Sequence, residues 1–237
     1  MAAIQNADTL KRAAAMRAAD LVQSGMKLGL GTGSTAEAFL EILADKIHGG
    51  LKVIGTPTSK RTEDKARSLG IPLDDLDKLA PLDLTIDGAD EADGDLNLIK
   101  GGGGALLREK IVAASSKRMA VMADESKLVP RLGKFPLPVE VIAFGHGSTA
   151  QRIANVAQKL GYKNLTPNLR LKDGAPFRTD SGNVIYDCPF GAIADVPKLA
   201  AALSAVTGVV EHGLFVGLAT SLILAGPKGV KLLERKT

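Results

Sequence analysis

The chain has 237 residues, of which 45% are hydrophobic, and this suits one large α/β domain or one domain that carries a smaller one. Only 3% of the residues are aromatic, so the core must be aliphatic, and the net charge of +4 comes from Lys and Arg spread along the chain. A nucleic-acid surface combines a basic patch with aromatic stacking platforms, so we expect no nucleic-acid partner. The single cysteine, Cys188, excludes a disulfide within the chain and suits a reducing compartment.

No segment of the sequence predicts secretion or a membrane span. Charged residues at Lys11, Arg12, Arg17 and Asp20 interrupt the apolar pattern near the N-terminus, which argues against a secretory signal. The longest apolar run without charges, Gly213 to Gly226, is shorter than the ~18 residues that a membrane span needs. We therefore predict a cytoplasmic protein without a membrane partner.

Helices and strands alternate along the first half of the chain. A helix is predicted at 7–24, followed by strands in "MKLGL", "LKVIGTPTS", "LDLTIDGADE" and "RMAVMADESK", with a helix after each of the first three, the third of these at about 104–117. This alternation predicts a mostly parallel sheet covered on both faces, in which ligands bind outside the carboxyl ends of the strands. Every predicted strand end carries polar groups, at 32–35, 58–59, 87–91 and 124–127.

The pattern changes after "GKFPLP". A strand in "VEVIAF", a helix at 148–161, strands in "LRLK" and "NVIYDC" and a helix at 195–206 give the order βαββα. This order predicts a small α+β domain at 132–208 with a ferredoxin-like arrangement. The following segment, "GVVEHGLFVG", is expected to rejoin the first sheet, so that residues 1–131 and 209–237 form one α/β domain.

The glycine turn "GLGTGSTA", residues 29–36, has the spacing of a weak dinucleotide fingerprint. The next predicted strand ends in residues 56–59 without the acid that holds a ribose, and no Gly-Lys-Ser/Thr of a P-loop is present. Backbone N–H groups at a helix N-terminus, with the hydroxyls of Thr32, Ser34 and Thr35, favour a site for a phosphate monoester. The alternative is a tight turn in which Ser34 or Thr35 only caps the helix.

Carboxylates cluster just past the third strand, at Asp87, Asp90 and Glu91. They suit either Mg²⁺ or acid–base chemistry on sugar hydroxyls, although the spacing is not the D-x-D of a haloacid-type phosphatase. Lys100 favours acid–base chemistry, because a cation competes with a divalent metal and can stabilise a negative oxygen. Gly101–Gly104 then let the backbone approach a ligand, the alternative being a flexible loop with solvated charges. We expect no metal and no cofactor.

Glu109 is the strongest candidate for a general base. On the predicted helix its neighbours Ala105, Leu106, Val112 and Ala113 are all apolar, so we expect a partly desolvated carboxylate with a raised pKa. The alternative is a glutamate on the face of a helix that is paired with a lysine. With Lys100 and the phosphate site, this pattern predicts an enzyme that moves a proton between adjacent carbons of a sugar phosphate and so interconverts an aldose and a ketose.

Four motifs, "GLGTGST", "TIDGADE", "KGGGGALLREKI" and "GKFPLPVEV", resemble in sequence and order those of the A-type ribose-5-phosphate isomerase family. The resemblance runs along essentially the whole chain and includes "GNVIYD" and "GVVEHGLF". It implies conversion of D-ribose 5-phosphate to D-ribulose 5-phosphate in the non-oxidative pentose phosphate pathway, through a cis-enediol(ate) and without metal. It also implies a Rossmann-like domain with an inserted α+β domain, and a homo-oligomer, either a dimer or a dimer of dimers.

The resemblance also implies roles for individual residues. Glu109 would be the base, Asp87 would assist ring opening and proton transfer between the oxygens, and Asp90 and Lys100 would bind and polarise the open-chain sugar. Besides these acids and Lys100, the residues implied in substrate binding are Thr32, Gly33, Ser34, Thr35, Gly88, Ala89, Gly101, Gly102, Gly103, Lys127 and, in the N-terminal helix, Lys11.

Three other classes of protein share parts of this pattern. A sugar-phosphate-sensing regulator would carry a DNA-binding segment before the sensor, but fewer than 30 residues precede the glycine turn. A sugar-phosphate deaminase would need an amino-sugar site, and an acyl-CoA transferase would need a glutamate nucleophile and a CoA groove. The resemblance implies no role for His48, His146 or His212, and "GHGST" at 145–149 is interpreted as a helix start.

Overall fold

A computed structural model of the chain describes residues 7–235. These residues fall into two compact units. Unit 1 contains residues 7–89, Arg108–Leu128 and 217–235, and unit 2 contains Asp90–Leu107 and Val129–Val216. The domain boundaries predicted from the sequence stay a prediction, since a compact unit is not the same thing as an independently folding domain.

Seven α-helices and fifteen strands are formed within the described residues. The helices are α1 (Ala7–Ala19), α2 (Ser34–His48), α3 (Lys60–Ser68), α4 (Leu76–Leu79), α5 (Leu106–Ala114), α6 (His146–Lys159) and α7 (Val196–Ser204), and a 3₁₀ helix covers Glu125–Lys127. The strands are β1 (Lys27–Leu30), β2 (Ile54–Pro57), β3 (Leu84–Gly88), β4 (Glu91–Ala92), β5 (Leu98–Ile99), β6 (Met119–Asp124), β7 (Leu137–Val141), β8 (Asn168–Leu169), β9 (Leu171–Lys172), β10 (Ala175–Pro176), β11 (Val184–Cys188), β12 (Val209–His212), β13 (Leu214–Phe215), β14 (Ser221–Gly226) and β15 (Gly229–Glu234). None of the helices built from these residues has the length and apolar character of a membrane span.

Unit 1 is built on a six-stranded sheet with the order β15-β14-β6-β3-β1-β2. All its strand pairs are parallel except β14 with β15, which confirms the predicted α/β class with a mostly parallel sheet. The side chains of β6 are buried from Met119 to Ala123, as expected for a strand covered on both faces. The core of unit 1 is almost wholly aliphatic, as the composition predicted, and Phe39 of α2 is the aromatic residue in it.

Unit 2 contains a four-stranded antiparallel sheet with the order β12-β7-β11-β8. Counted along the chain as β7, α6, β8, β11, α7 and β12, these elements form the ferredoxin-like arrangement that the sequence predicted. A core of aliphatic side chains from β7, β11, α6 and α7 fills it, including Val139, Val184, Ile153 and Leu199.

One strand assignment from the sequence is wrong. The segment 208–217 does not rejoin the parallel sheet, because β12 pairs with β7 and β13 pairs with β5, both in unit 2. The strand that rejoins the parallel sheet is β14, next to β6. The physical reason is that each half of a ferredoxin-like arrangement ends in a strand, so the chain leaving α7 must supply β12 before it can leave that sheet.

Several predicted elements are also too long. The first helix ends at Ala19 rather than residue 24, where turn hydrogen bonds take over before Gly25, whose φ of 89° is left-handed. The helix predicted at 104–117 is α5, which starts after Gly104, at φ 81°. The predicted strand "LRLK" is divided at Arg170: β8 joins the four-stranded sheet, whereas β9 pairs with β10 in a separate ribbon.

Candidate active site

Asp87 lies at the carboxyl end of β3, in the middle of the parallel sheet, and is completely buried. Its Oδ1 accepts the backbone N–H of Gly88 at 2.7 Å and that of Thr32 at 3.1 Å. These two donors fix the orientation of the buried carboxyl group. The sheet therefore presents an oriented carboxyl group where β3 meets the turn after β1.

The turn between β1 and α2 approaches Asp87 closely. A Cβ on Gly31 would lie 2.2 Å from Oδ1 of Asp87, so only glycine fits at this position. Gly33, with φ 111°, is the N-cap of α2 and makes no side-chain cap. The alternative in which Ser34 or Thr35 is the helix cap is therefore wrong, because both residues lie inside the first turn. The first turn of α2 is left with N–H groups and a helix dipole that suit an anion.

The hydroxyl of Thr32 is held inside a cluster of hydroxyl groups. Its Oγ1 lies 2.7 Å from Oγ1 of Thr58, 2.8 Å from Oγ of Ser59 and 3.0 Å from Oγ1 of Thr62. Ser59 is also the N-cap of α3 and accepts the N–H of Thr62. The sequence showed the polar strand end at Thr58 and Ser59 but not Thr62, and the run of hydroxyl residues "TPTSKRT" was the signal that could have found it. The cluster fixes the glycine turn against the start of α3.

Three further residues selected from the sequence, Glu109, Lys127 and Lys11, lie in unit 1 and differ in how far they are buried. Glu109 lies in α5 with only 4% of its surface exposed, and Val112 and Ala113 on the same helix are equally buried, so it is not a solvated surface glutamate. Lys127 ends the 3₁₀ helix and is half-buried. Lys11 pairs with Asp8 at 3.2 Å on the surface of α1. The burial predicted for Glu109 is thus confirmed, whereas its chemical role stays a prediction.

Unit 2 brings Asp90 and the glycine run together. Asp90 Oδ2 accepts the backbone N–H of Gly102 at 2.8 Å, and the Asp90 N–H donates to the carbonyl of Ile99. Gly101 and Gly104 adopt left-handed φ values of 103° and 81°, and the Gly104 N–H donates to the Gly101 carbonyl at 3.0 Å. The run is therefore an ordered turn and not the flexible loop of the alternative interpretation.

Lys100 immediately precedes this turn and is buried, with a relative exposure of 2%. Its Nζ lies 5.5 Å from the centroid of the Phe215 ring, a distance at which a cation is attracted by an aromatic face. The backbone of Lys100 is held by the carbonyl of Gly213, to which its N–H donates at 2.9 Å. Lys100 is therefore placed as a buried cation on an ordered backbone.

Glu91, which the sequence grouped with the two aspartates, has a structural role in unit 2. Its Oε2 accepts the N–H of Gly133 at 2.7 Å and its Oε1 accepts the N–H of Phe135 at 2.6 Å. Both oxygens thus hold the segment that precedes β7. In the part of the chain that the structure covers, no three His, Cys, Asp or Glu side chains are grouped so that they could hold a metal ion.

Cys188 is buried at the end of β11. Burial, together with the nearby charge of Asp187, raises the pKa of its thiol. It therefore offers no thiolate for nucleophilic chemistry near neutral pH.

The fold and the groups at its strand ends first define a class. A parallel sheet with a glycine turn leading into a helix N-terminus after β1, and with a buried carboxyl group at the end of β3, is typical of α/β proteins that bind phosphorylated ligands at the carboxyl ends of their strands.

The comparisons with known proteins then show the family. The family model of ribose 5-phosphate isomerase A (phosphoriboisomerase A) matches residues 54–229. Ribose-5-phosphate isomerase A of Bradyrhizobium diazoefficiens is 55% identical and covers 98% of this chain and 98% of its own length. The chain belongs to the ribose 5-phosphate isomerase A family, the isomerases that interconvert ribose 5-phosphate and ribulose 5-phosphate in the pentose phosphate pathway.

Solved structures agree with this assignment. The ribose 5-phosphate isomerase of Plasmodium falciparum superimposes with a TM-score of 0.92 at 42% identity, covering 97% of this chain and 100% of that one. A D-ribose-5-phosphate isomerase in complex with phospho-erythronic acid superimposes with a TM-score of 0.89 at 37% identity and the same coverage. The predicted fold class and family are confirmed, and the roles of the individual site residues stay predictions.

Proposed function

We propose that this chain interconverts D-ribose 5-phosphate and D-ribulose 5-phosphate through a cis-enediolate, with Glu109 as the general base. The observation that carries the proposal is the burial of Glu109, 4% exposed, within the motif "KGGGGALLREKI" of a chain that belongs to this isomerase family. A carboxylate removed from water binds a proton more readily, and this is what abstraction of a carbon-bound proton requires.

The reaction would use four side chains of the protein. Glu109 would remove the proton from C2 of the open-chain aldose and return it to C1, so that the carboxylate is regenerated. Lys100 would stabilise the negative charge that develops on the oxygen of the enediolate, and its burial strengthens that interaction. Asp87 would assist ring opening and move the proton between O2 and O1, and Asp90 would hold a sugar hydroxyl.

The phosphate would bind at the N-terminus of α2. Gly33 leaves the first turn without a side-chain cap, so its N–H groups and the hydroxyls of Ser34 and Thr35 are suited to a phosphate monoester. Thr32 would act by fixing this turn, and Lys127 and Lys11 would add positive charge. Backbone groups of Gly88, Ala89, Gly101, Gly102 and Gly103 complete the proposed set of substrate contacts.

We extend the proposal to the state of the enzyme. By the family resemblance, it would act in the cytoplasm as a homo-oligomer, a dimer or a dimer of dimers, with no metal and no cofactor. Analytical ultracentrifugation at micromolar concentration would show the oligomer, and a monomer at all concentrations would contradict it.

The test is the formation of ribulose 5-phosphate from ribose 5-phosphate in excess EDTA, for wild type and for Glu109→Gln. We expect EDTA to leave the wild-type rate unchanged and the substitution to lower kcat by roughly 10²- to 10⁴-fold, the usual contribution of a general base. Glu63→Gln is the matched control, because Glu63 also lies in the first turn of a helix but on the surface of α3. Loss of turnover in EDTA would contradict the metal-free mechanism. A Glu109→Gln variant with near wild-type activity would contradict the role of Glu109 as the general base.

A further inference from the structure

An arginine that has no part in the proposed chemistry donates hydrogen bonds to backbone carbonyls of the glycine run. Arg170 lies between β8 and β9 in unit 2, and its Nη1 donates to the carbonyl of Gly101 at 2.9 Å and to that of Gly102 at 3.1 Å. One guanidinium nitrogen therefore joins two successive peptide groups of the run. In the sequence, Arg170 is a single arginine within the predicted strand "LRLK", and nothing there connects it to the glycine run.

The guanidinium group is itself held in place. Its Nε donates to Oδ2 of Asp187 at 2.9 Å, and its Nη2 donates to Oδ1 of the same carboxylate, so the pair is bidentate. The Cζ atom of Arg170 lies 6.0 Å from the centroid of the Phe177 ring, and the backbone N–H of Phe177 donates to the Arg170 carbonyl. A forked charge pair with 15% exposure on the arginine side has little freedom to rotate.

The two carbonyl contacts determine where the following N–H groups point. In a trans peptide the C=O and the next N–H point in opposite directions. The Gly101 carbonyl faces Arg170, and the Gly102 N–H accordingly points away from it and donates to Asp90 Oδ2 at 2.8 Å. By the same rule, the Gly103 N–H points away from the arginine that binds the Gly102 carbonyl. Without such contacts, consecutive glycines can adopt many other conformations.

We propose that Arg170, oriented by Asp187, is a positioning residue that sets the two peptide planes of Gly101–Gly103, and through Gly102 the carboxylate of Asp90, for substrate binding. This inference rests on the proposed function, in which Asp90 and the glycine run contact the sugar phosphate. Arg170 touches no reacting atom itself. Arg170 acts by preorganising the N–H donors of the glycine run. Its removal would let these donors shift, and a shift of about an ångström is enough to lower both substrate affinity and rate.

The first experiment compares Arg170→Ala and Arg170→Lys with wild type, by kinetics with ribose 5-phosphate and by calorimetric binding of phospho-erythronic acid. We expect both variants to raise KM and the dissociation constant of phospho-erythronic acid by at least tenfold, a change of the size that a lost bidentate positioning contact produces. Lysine should not restore function, because one ammonium cannot contact both Asp187 oxygens and both carbonyls. Millimolar guanidinium ion should partly restore Arg170→Ala.

The matched control is Arg178→Ala. Arg178 also lies in unit 2 and also donates to a glycine carbonyl, that of Gly182 at 3.2 Å, but it is exposed and this bond lies within its own turn. This variant should keep the wild-type KM and the wild-type affinity for phospho-erythronic acid.

Amide hydrogen exchange supplies a readout that does not depend on turnover. In Arg170→Ala the amides of residues 101–104 should exchange faster, while those of β7 and β11 keep their protection. If wild type binds phospho-erythronic acid but does not isomerise ribose 5-phosphate, the proposed function fails and the exchange result still tests Arg170. Unchanged KM, binding and exchange in Arg170→Ala would overturn the positioning role.

A purely structural role gives a different result. It predicts loss of protection throughout unit 2 and no rescue by guanidinium ion, and that pattern would also overturn the proposal. If Arg170→Ala does not fold, Asp187→Asn serves instead, because it leaves the arginine in place but removes the charge that orients it. We expect that variant to raise KM and to speed exchange at 101–104, and no change in either would overturn the proposal.

Discussion

The backbone N–H of Thr32 donates to Oδ1 of Asp87 at 3.1 Å and so joins the turn after β1 to the end of β3. Parallel pairing of the two strands, with Leu30 beside Ile86, brings these residues together. The approach is so close that a Cβ on Gly31 would lie 2.6 Å from the Asp87 Cα. The orientation of the buried carboxylate therefore depends on a glycine that carries no chemistry itself.

We expect Gly31→Ala to destabilise the protein by about 1–3 kcal/mol, since the added methyl group has no space, and to lower kcat by at least about tenfold because Asp87 must shift. Urea unfolding and steady-state kinetics measure the two effects. Gly147→Ala is the control, because a Cβ at this position of α6 meets no atom within 4 Å. It should be neutral or stabilise by up to about 1 kcal/mol. Equal behaviour of the two variants would contradict the close-approach argument.

Glu91→Gln should reduce stability without reducing turnover. Both carboxylate oxygens accept backbone N–H groups, from Gly133 and Phe135, and a glutamine would turn its NH₂ group toward one of these donors. The expected loss is about 2–3 kcal/mol in the free energy of unfolding, with kcat close to that of wild type. Urea denaturation and kinetics below the transition measure both. A large fall in kcat at unchanged stability would show that Glu91 takes part in the chemistry instead.

The ion pair of Asp83 and Lys117, at 2.8 Å, makes a pH-dependent contribution to stability. The hydrogen bond from Lys117, and then the one from the Lys27 N–H, hold the pKa of Asp83 below its ordinary value. The stabilisation is therefore fully present above the unfolded-state pKa of about 4 and is lost as the pH falls through the lower folded-state pKa.

Asp83→Asn should accordingly be less stable than wild type at pH 7 by about 1 kcal/mol or less, since the pair is partly exposed. The difference should shrink as the pH is lowered below about 4, with activity at pH 7 unaffected. Urea midpoints measured between pH 7 and pH 3 test this. A difference that stays constant over that range would mean that the pair's charge is not the cause.

The thiol of Cys188 should not react in the native protein. It is buried at the end of β11, and its pKa is raised by that burial and by Asp187. Ellman's reagent at pH 8 should therefore titrate no thiol in the folded enzyme and one thiol per chain in guanidinium chloride. Rapid labelling of the folded protein would show that β11 opens readily or that the thiol is accessible.

The parallel sheet and the ferredoxin-like arrangement of unit 2 were predictable because their patterns are local. Alternating strands and helices require crossover connections, and glycines and hydroxyl residues at a strand end mark the turn that follows. Asp87, Glu109 and the glycine run could be selected because each breaks an otherwise apolar or regular segment. The sheet that β12 joins could not be predicted in this way, because it depends on which strand edge is still unpaired once the unit has packed.

The chain's own order of residues determined its class, its family and the residues that carry charge beside flexible backbone. Only the tertiary structure decided what orients them: Thr32 on Asp87, Glu91 on the segment before β7, and Arg170, held by Asp187, on the carbonyls of Gly101 and Gly102. These contacts join residues that are far apart in sequence. They use backbone N–H and C=O groups, which every residue type presents alike, so no pattern of side chains could reveal them.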